Sequence, residues 1–302
     1  MLRVEQKFPI REREKVKKMN RKEEVRHLLS LSIDELIAES KGQLKLTQTL
    51  DELYEYLAEE MVNEFRKAAA GDKVVNFIMP VGPTQPYRIM AEKINFESIS
   101  LKNVRFFFMD EYVDDEKDEL IPETHPLSFR GQIGGLFFNR VRPELLMPAE
   151  QVIFPRPEIL ADLPRMIEEL GGIEVCFGGI GIHGHVAFNE PGPGVAETDP
   201  RILEINEFTR TIDSTRHKGV GGNLENFPKR AITLGMKQCL GAKKMLLMTR
   251  NESTEFLWAN TIIRIAAAGQ PGDDYPVTYC RKHPACIIAS DRATATAPKF
   301  NI

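Results

Sequence analysis

IEVCFGGIGIHGHVAFNEPG, residues 173–192, passes in a few positions from apolar side chains to a loop of glycines, histidines and one carboxylate. Ile173–Phe177 is too short for a helix, and its apolar character suits a strand buried on both faces. The glycines that follow, at 178, 179, 181, 184 and 192, allow positive φ and close backbone approach. Working outward, the same theme recurs. Lys73–Met79 (KVVNFIM) ends in the turn Pro80–Pro86 and is followed by a helical stretch to about Lys93. Val104–Met109 (VRFFFM) ends at Asp110-Glu111. Ala231–Leu234, Lys244–Met248 and Ala285–Ala289 are three more short apolar runs, with Asn251–Ala268 partly helical between the last two. Apolar strands alternating with helices predict an α/β fold: a mostly parallel, Rossmann-like sheet with helices on both faces. Ligands bind such sheets at the carboxyl ends of the strands. The loops 80–86, 110–113 and 178–190 therefore converge on one expected site.

The helix signals agree. Thr49-x-x-Glu52 is a capping box, Leu50, Leu53, Tyr54, Leu57, Met61, Phe65 and Ala68 recur at helical spacing, and Gly71 stops the run. Ser32-x-x-Glu35 opens a shorter helix through Ala38. Residues 1–45 read as an N-terminal appendage, partly helical, and 46–302 as a single α/β domain. The basic stretch Arg11–Arg26 reads as a solvated arm.

With 40 basic against 44 acidic residues the charge is balanced, which points away from nucleic acid and membrane surfaces as partners. No apolar run is long enough for a bilayer span, and Met1–Asn20 lacks the apolar segment of a signal peptide. Cys176, Cys239, Cys280 and Cys286 form no C-x-x-C pair and read as small core residues in a reducing, cytoplasmic setting.

The chemistry sits in the three loops. His185 can move protons near neutral pH, and Glu190, five residues on, can orient it or hold a proton. A glycine-rich connection with incidental histidines is the bland alternative. His183-x-His185 has the spacing of metal ligands, but no third ligand is obvious, so the expectation is no metal. Asp110 and Glu111 follow an apolar strand and should point in different directions. One can face a cleft as a general base while the other caps or pairs. In Pro80–Pro86, Thr84 can cap the helix that Pro86 opens, and free N–H groups there suit a phosphate, although Pro83 and Pro86 each remove a donor.

Together these loops resemble the glucosamine-6-phosphate deaminase (isomerase) family. The likeness is carried by FMDEYV at 108–113, by His125-Pro126-Leu127-Ser128-Phe129 with Phe137-Phe138, and by GGIGIHGHVAFNEPG at 178–192. Pro276-Val277-Thr278 and His283-Pro284 also fit, so the resemblance runs from about residue 50 to 292. It implies a fold shared with 6-phosphogluconolactonase, ribose-5-phosphate isomerase A and CoA transferases. It implies conversion of glucosamine 6-phosphate and water to fructose 6-phosphate and ammonia, with no organic cofactor. By position, Asp110 matches the proton-abstracting acid, His185 the ring-opening histidine and Glu190 its supporting glutamate. Gly82, Thr84, Glu111 and Arg216 match substrate- and phosphate-binding positions. The family includes both monomers and hexamers, so a homo-oligomer is compatible with it.

Three departures stand out. His183 replaces the family's aspartate beside the catalytic histidine, and as a like charge it is expected to lower the pKa of His185. Pro83 stands where a glycine is expected. Thr254 falls where the family has a phosphate-binding lysine, leaving Arg210, Arg250 and Lys218 as substitutes or plain surface charges. The alternatives are an isomerase or lactonase of another sugar phosphate on this fold, or a non-catalytic sugar-sensing module.

Overall fold

The computed structural model describes residues 19–217 and 219–302. Seven strands form one parallel sheet: β1 (Leu44–Thr47), β2 (Val75–Met79), β3 (Val104–Phe108), β5 (Val152–Ile153), β6 (Val175–Gly179), β9 (Lys244–Met248) and β10 (Cys286–Asp291), in the order β1-β10-β9-β6-β2-β3-β5. Every pairing within it is parallel. Side-chain alternation divides each strand between two cores. Ile78, Phe107, Cys176, Met245 and Leu247 face one layer. Phe77, Phe106, Phe177, Leu246 and Met248 face the other. Strands buried on both faces cannot alternate apolar with polar, which is why they read as continuous apolar runs.

Helix α3 (Leu50–Ala69) covers the second layer together with α4 (Gln85–Glu97). The Phe65 ring lies 5.3 Å from Phe77 and 5.5 Å from Phe106. Burying each such ring contributes about 1.5–3 kcal/mol. On the opposite face α9 (Ala259–Ala268) packs against α1 (Arg21–Ser30) and α2 (Ile33–Glu39). The fully buried Arg264 on α9 donates to the carbonyls of Leu28, Leu31 and Ala295 at 2.7–2.8 Å. Residues 21–26, expected in a solvated arm, are therefore helical and docked. Arg21 pairs with Asp274 at 2.7 Å, and Glu24 is buried. Residues 11–18 of that stretch lie outside the described residues. All four cysteines are free and buried. Scattered in sequence, they share one core layer, and burial pushes the Cys286 thiol up to about 12.

A second sheet corrects two expectations. Asp110–Val113, expected as a loop, is strand β4, and Ala231–Leu234, expected beside the parallel strands, is β8 (Arg230–Thr233). With β7 (Arg201–Glu204) they form a three-stranded antiparallel sheet in the order β4-β8-β7. Its aromatic packing, Tyr112 against Phe129, Phe188 and Phe227, makes one wall of the site. Asn251–Ala268 is helical only over α9. Among the described residues no helix is long and apolar enough to cross a membrane.

β2 sits between β3, its successor in the chain, and β6, which comes later. The chain thus turns to opposite sides of the sheet from these neighbours, and a crevice opens at the carboxyl ends of β2 and β6.

Candidate active site

That crevice is a pocket of about 500 Å³, and the three chemically loaded segments meet there. After β2 the chain lays Gly82, Pro83, Thr84 and Gln85 along one side; after β6, Gly179–Ile182 and His185 form the opposite side. β4 contributes Asp110, and the last turn of α7 (Glu207–Arg216) contributes Asp213 and Arg216.

The histidine loop is held by its own backbone and by distant segments. Gly181 N–H donates to His185 O at 3.0 Å, and Gly184 N–H donates to Gly181 O at 2.9 Å. Gly184 adopts φ +70°, the left-handed region that glycine enters freely. The Val277 N–H, in the Pro276-Val277-Thr278 segment, donates to Gly184 O at 2.7 Å. Asn189, fully buried, donates to Val186 O and Leu234 O at 3.0 Å and accepts from Arg201 at 2.9 Å. Gly181 makes room for the imidazole: a Cβ there would lie 1.8 Å from Nε2 of His185.

Behind the pocket wall the Glu190 carboxylate lies 3.4 Å from Nδ1 of His185 and 3.8 Å from Nδ1 of His183. Burial would raise the Glu190 carboxyl, but the two imidazoles outweigh it and hold it well below the usual carboxylate range. Burial likewise would lower His185, yet Glu190 first, then Asp213 and Asp110, raise it above the ordinary imidazole value. The expected depression of His185 by His183 is thus overturned, because the carboxylate of Glu190 faces both rings. The structure also supplies the third partner that the spacing His183-x-His185 lacked. One nitrogen from each histidine and one Glu190 oxygen lie within 4.8 Å of one another, a set able to hold a metal ion.

Asp110 opens β4, opposite Thr233, with its side chain in the pocket. Burial, the adjacent Glu111 and nearby Asp213 push its carboxyl up to about 8, partly offset by His185. Asp213 is also raised, mainly by burial, with Arg216 offsetting. Arg216 donates to Asp213 at 3.0 Å and lies 5.8 Å from the Trp258 ring centroid.

Of the residues expected to bind substrate, Gly82, Thr84 and Arg216 line the pocket; Glu111 does not. Glu111 is fully buried and accepts from Ser128 Oγ, the N–H groups of Tyr112, Phe129 and Arg130, and the Arg130 guanidinium, at 2.9–3.3 Å. Its five donors and its direction opposite to Asp110 make it the anchor of α5 (Phe129–Ile133). His183 and Glu190 stand behind His185. Arg210 is spent on the carbonyls of Leu224, Phe227 and Pro228. Lys218 lies outside the described residues. Thr254 is exposed and outside the pocket lining.

Arg250, expected as a substitute for the phosphate-binding lysine or a plain surface charge, is buried at the pocket beside Gln85 Oε1 (3.4 Å), Tyr54 Oη (3.0 Å) and the Glu252 carboxylate. Its place just past the carboxyl end of a parallel strand favours the first of those alternatives over the second. Asp213 carries no such signal, because a polar helix shows from sequence only that one face is wet.

No protein-family model matches the chain. The glucosamine-6-phosphate deaminase of Caenorhabditis elegans is 29% identical over 210 residues, covering 68% of this chain and 75% of the relative. That of Aeromonas hydrophila is 28% identical over 240 residues, covering 77% and 82%. Among solved structures, a monomeric glucosamine-6-phosphate deaminase superimposes with a TM-score of 0.72 at 20% identity, covering 85% of this chain and all (100%) of the other. The 6-phosphogluconolactonase of Thermotoga maritima gives 0.59 at 14%, covering 82% and 98%.

Proposed function

We propose that this chain, a divergent relative of the glucosamine-6-phosphate deaminases, is an enzyme that isomerises and hydrolytically deaminates an amino sugar phosphate, glucosamine 6-phosphate foremost, giving fructose 6-phosphate and ammonia. The observation that carries the reading is the meeting of Asp110 and His185 in one pocket at the switch point, with Glu190 3.4 Å behind the imidazole.

In this reading the cyclic sugar opens first. His185 takes the proton of the C1 hydroxyl and delivers one to the ring oxygen as the C1–O5 bond breaks. The ionised Glu190 stabilises the imidazolium in between. The open aldehyde carries its amine on C2. Asp110 removes the C2 proton while the aldehyde oxygen takes one from the C2 ammonium, forming an enol-amine; Asp110 then returns its proton to C1, leaving a protonated ketimine at C2. Water adds to that C=N bond, and collapse of the adduct expels ammonia. Proton transfers suffice throughout, and the buried carboxyl of Asp110 has an affinity suited to both taking and giving one.

The phosphate is assigned to the Gly82–Gln85 side. There the N-terminus of α4 has no side-chain cap from Thr84 and faces the pocket, with Arg250 across from it. Glu252 occupies the Arg250 guanidinium in the free protein and would yield to the phosphate. Arg250→Ala is expected to raise KM for the phosphorylated sugar by roughly 10- to 100-fold with little change in kcat, the value of one or two charge-assisted hydrogen bonds. Steady-state kinetics check this; an unchanged KM removes Arg250 from the phosphate site. The cytoplasm is the proposed setting, supported by the free, buried cysteines. Assembly into a homo-oligomer is proposed on the family likeness alone.

The whole reading is tested by ammonia and ketose release from a panel of amino sugars, each with and without a 6-phosphate. Glucosamine 6-phosphate is expected to react fastest. Ammonia release from none of them rejects the deaminase assignment.

A further inference from the structure

Two imidazoles on alternate residues of one short loop face the same carboxylate. Nδ1 of His183 and Nδ1 of His185 lie 3.8 and 3.4 Å from one oxygen of Glu190. Both Nδ1 atoms and both Glu190 oxygens are buried, and they face one another and Thr209 Oγ1 without closing a well-formed hydrogen bond. Buried polar atoms of native proteins almost always close their hydrogen bonds, and two imidazoles that face one carboxylate at 3.4–3.8 Å without doing so suit a shared ligand. Three ligands on a tetrahedral zinc ion, at about 2.0–2.2 Å each, stand about 3.3–3.5 Å apart. Glu190 and His185 already have that separation, and His183 Nδ1, 3.8 Å from the same oxygen, lies slightly outside it. Gly184, between the histidines, sits at φ +70°, a backbone conformation that glycine enters freely.

We propose that His183, His185 and Glu190 form a binding site for one first-row divalent metal ion of the zinc class, held through the two Nδ1 atoms and the carboxylate. Two imidazoles and one carboxylate suit zinc, cobalt or iron(II) rather than magnesium or calcium. His183 is 24% and His185 13% exposed as side chains, so an ion held between them is shielded yet within reach of solvent. A coordination position left open would be filled by water. The cation would sit where the deaminase reading places the His185–Glu190 proton, so metal and proton compete for one cradle. The inference stands apart from that reading, because metal binding is measured without substrate.

The test uses the full chain, stripped with a chelator, dialysed, and titrated with Zn²⁺ or Co²⁺, with Mg²⁺ as control. One equivalent of Zn²⁺ per chain is expected to survive gel filtration, with a thermal midpoint that rises with free Zn²⁺ by mass action. Co²⁺ is expected to give the strong visible bands of a four- or five-coordinate site. His183→Ala and Glu190→Gln are expected to weaken binding by at least about 100-fold, since even outer partners of metal ligands are worth 10- to 100-fold. Absence of saturable Zn²⁺ binding, or equal affinity in the wild type and a folded variant, overturns the proposal. Should both variants fail to fold, the wild-type Co²⁺ spectrum decides: octahedral, solvent-like bands overturn it.

Discussion

Asp110→Asn is expected to lower kcat/KM for ammonia release by roughly 10²- to 10⁴-fold, the range general-base catalysis supplies. Asparagine keeps the shape of the side chain but cannot carry a proton from C2 to C1. The pocket and its aromatic wall should be intact, so the variant should bind a substrate analogue normally. The pH profile gives a second readout. The base works only when ionised, and burial with Glu111 and Asp213 nearby pushes Asp110 up to about 8, His185 offsetting in part. In the free enzyme kcat/KM should therefore rise as pH climbs through about 8 and flatten above it. That limb should vanish in whatever activity the asparagine variant retains. Steady-state rates across that range check both statements. Full activity in the variant defeats the proton-shuttle mechanism and favours the lactonase alternative, which needs no carbon acid chemistry.

Glu111→Ala, one residue along, is expected to act on folding instead. The fully buried carboxylate is the common acceptor for the start of α5, and the neighbouring Arg130 guanidinium would be left without its 3.3 Å partner. Arg130 keeps Ile121 O and Glu123 as partners, but the hydroxyl of Ser128 and the N–H groups of Phe129 and Arg130 lose their buried acceptor, at about 1–3 kcal/mol each and on the order of 3–5 kcal/mol together. A denaturant titration should show a midpoint lowered accordingly, with the Phe129 side of the pocket loosened. Unchanged stability with a raised KM would instead return Glu111 to the substrate-binding residues. The two adjacent acids thus separate by measurement: Asp110→Asn changes rate with little change in stability, Glu111→Ala the reverse.

The difference between these neighbours was half legible. Strand geometry dictates that consecutive side chains point apart, so one of the pair had to leave the cleft. Which one left depends on Ser128–Arg130, seventeen to nineteen residues on, whose donors converge on Glu111. Likewise His185 and Glu190 were readable as partners because they share a loop, but the effect of His183 was not. Its influence on His185 is set by the carboxylate facing both, and that geometry comes from Gly184 and the Val277 contact. Arg250 was legible only as one of three alternatives, because burial is a property of packing; its position past a strand end was the hint of the pocket.

By itself the sequence determined what is local: apolar runs that become strands buried on both faces, amphipathic helices with their caps, and the three segments rich in chemistry. These follow from side-chain periodicity and backbone preference, which each stretch carries alone. Tertiary structure decided what is shared between stretches. It peeled β4 and β8 away into a second, antiparallel sheet, docked α1 and α2 on α9 through Arg264, and turned Glu111 inward. It also brought Arg250 and Asp213 to the pocket and gathered His183, His185 and Glu190 around one point. Strand pairing, burial and ligand geometry arise from contacts between residues far apart in the chain, and periodicity does not encode them.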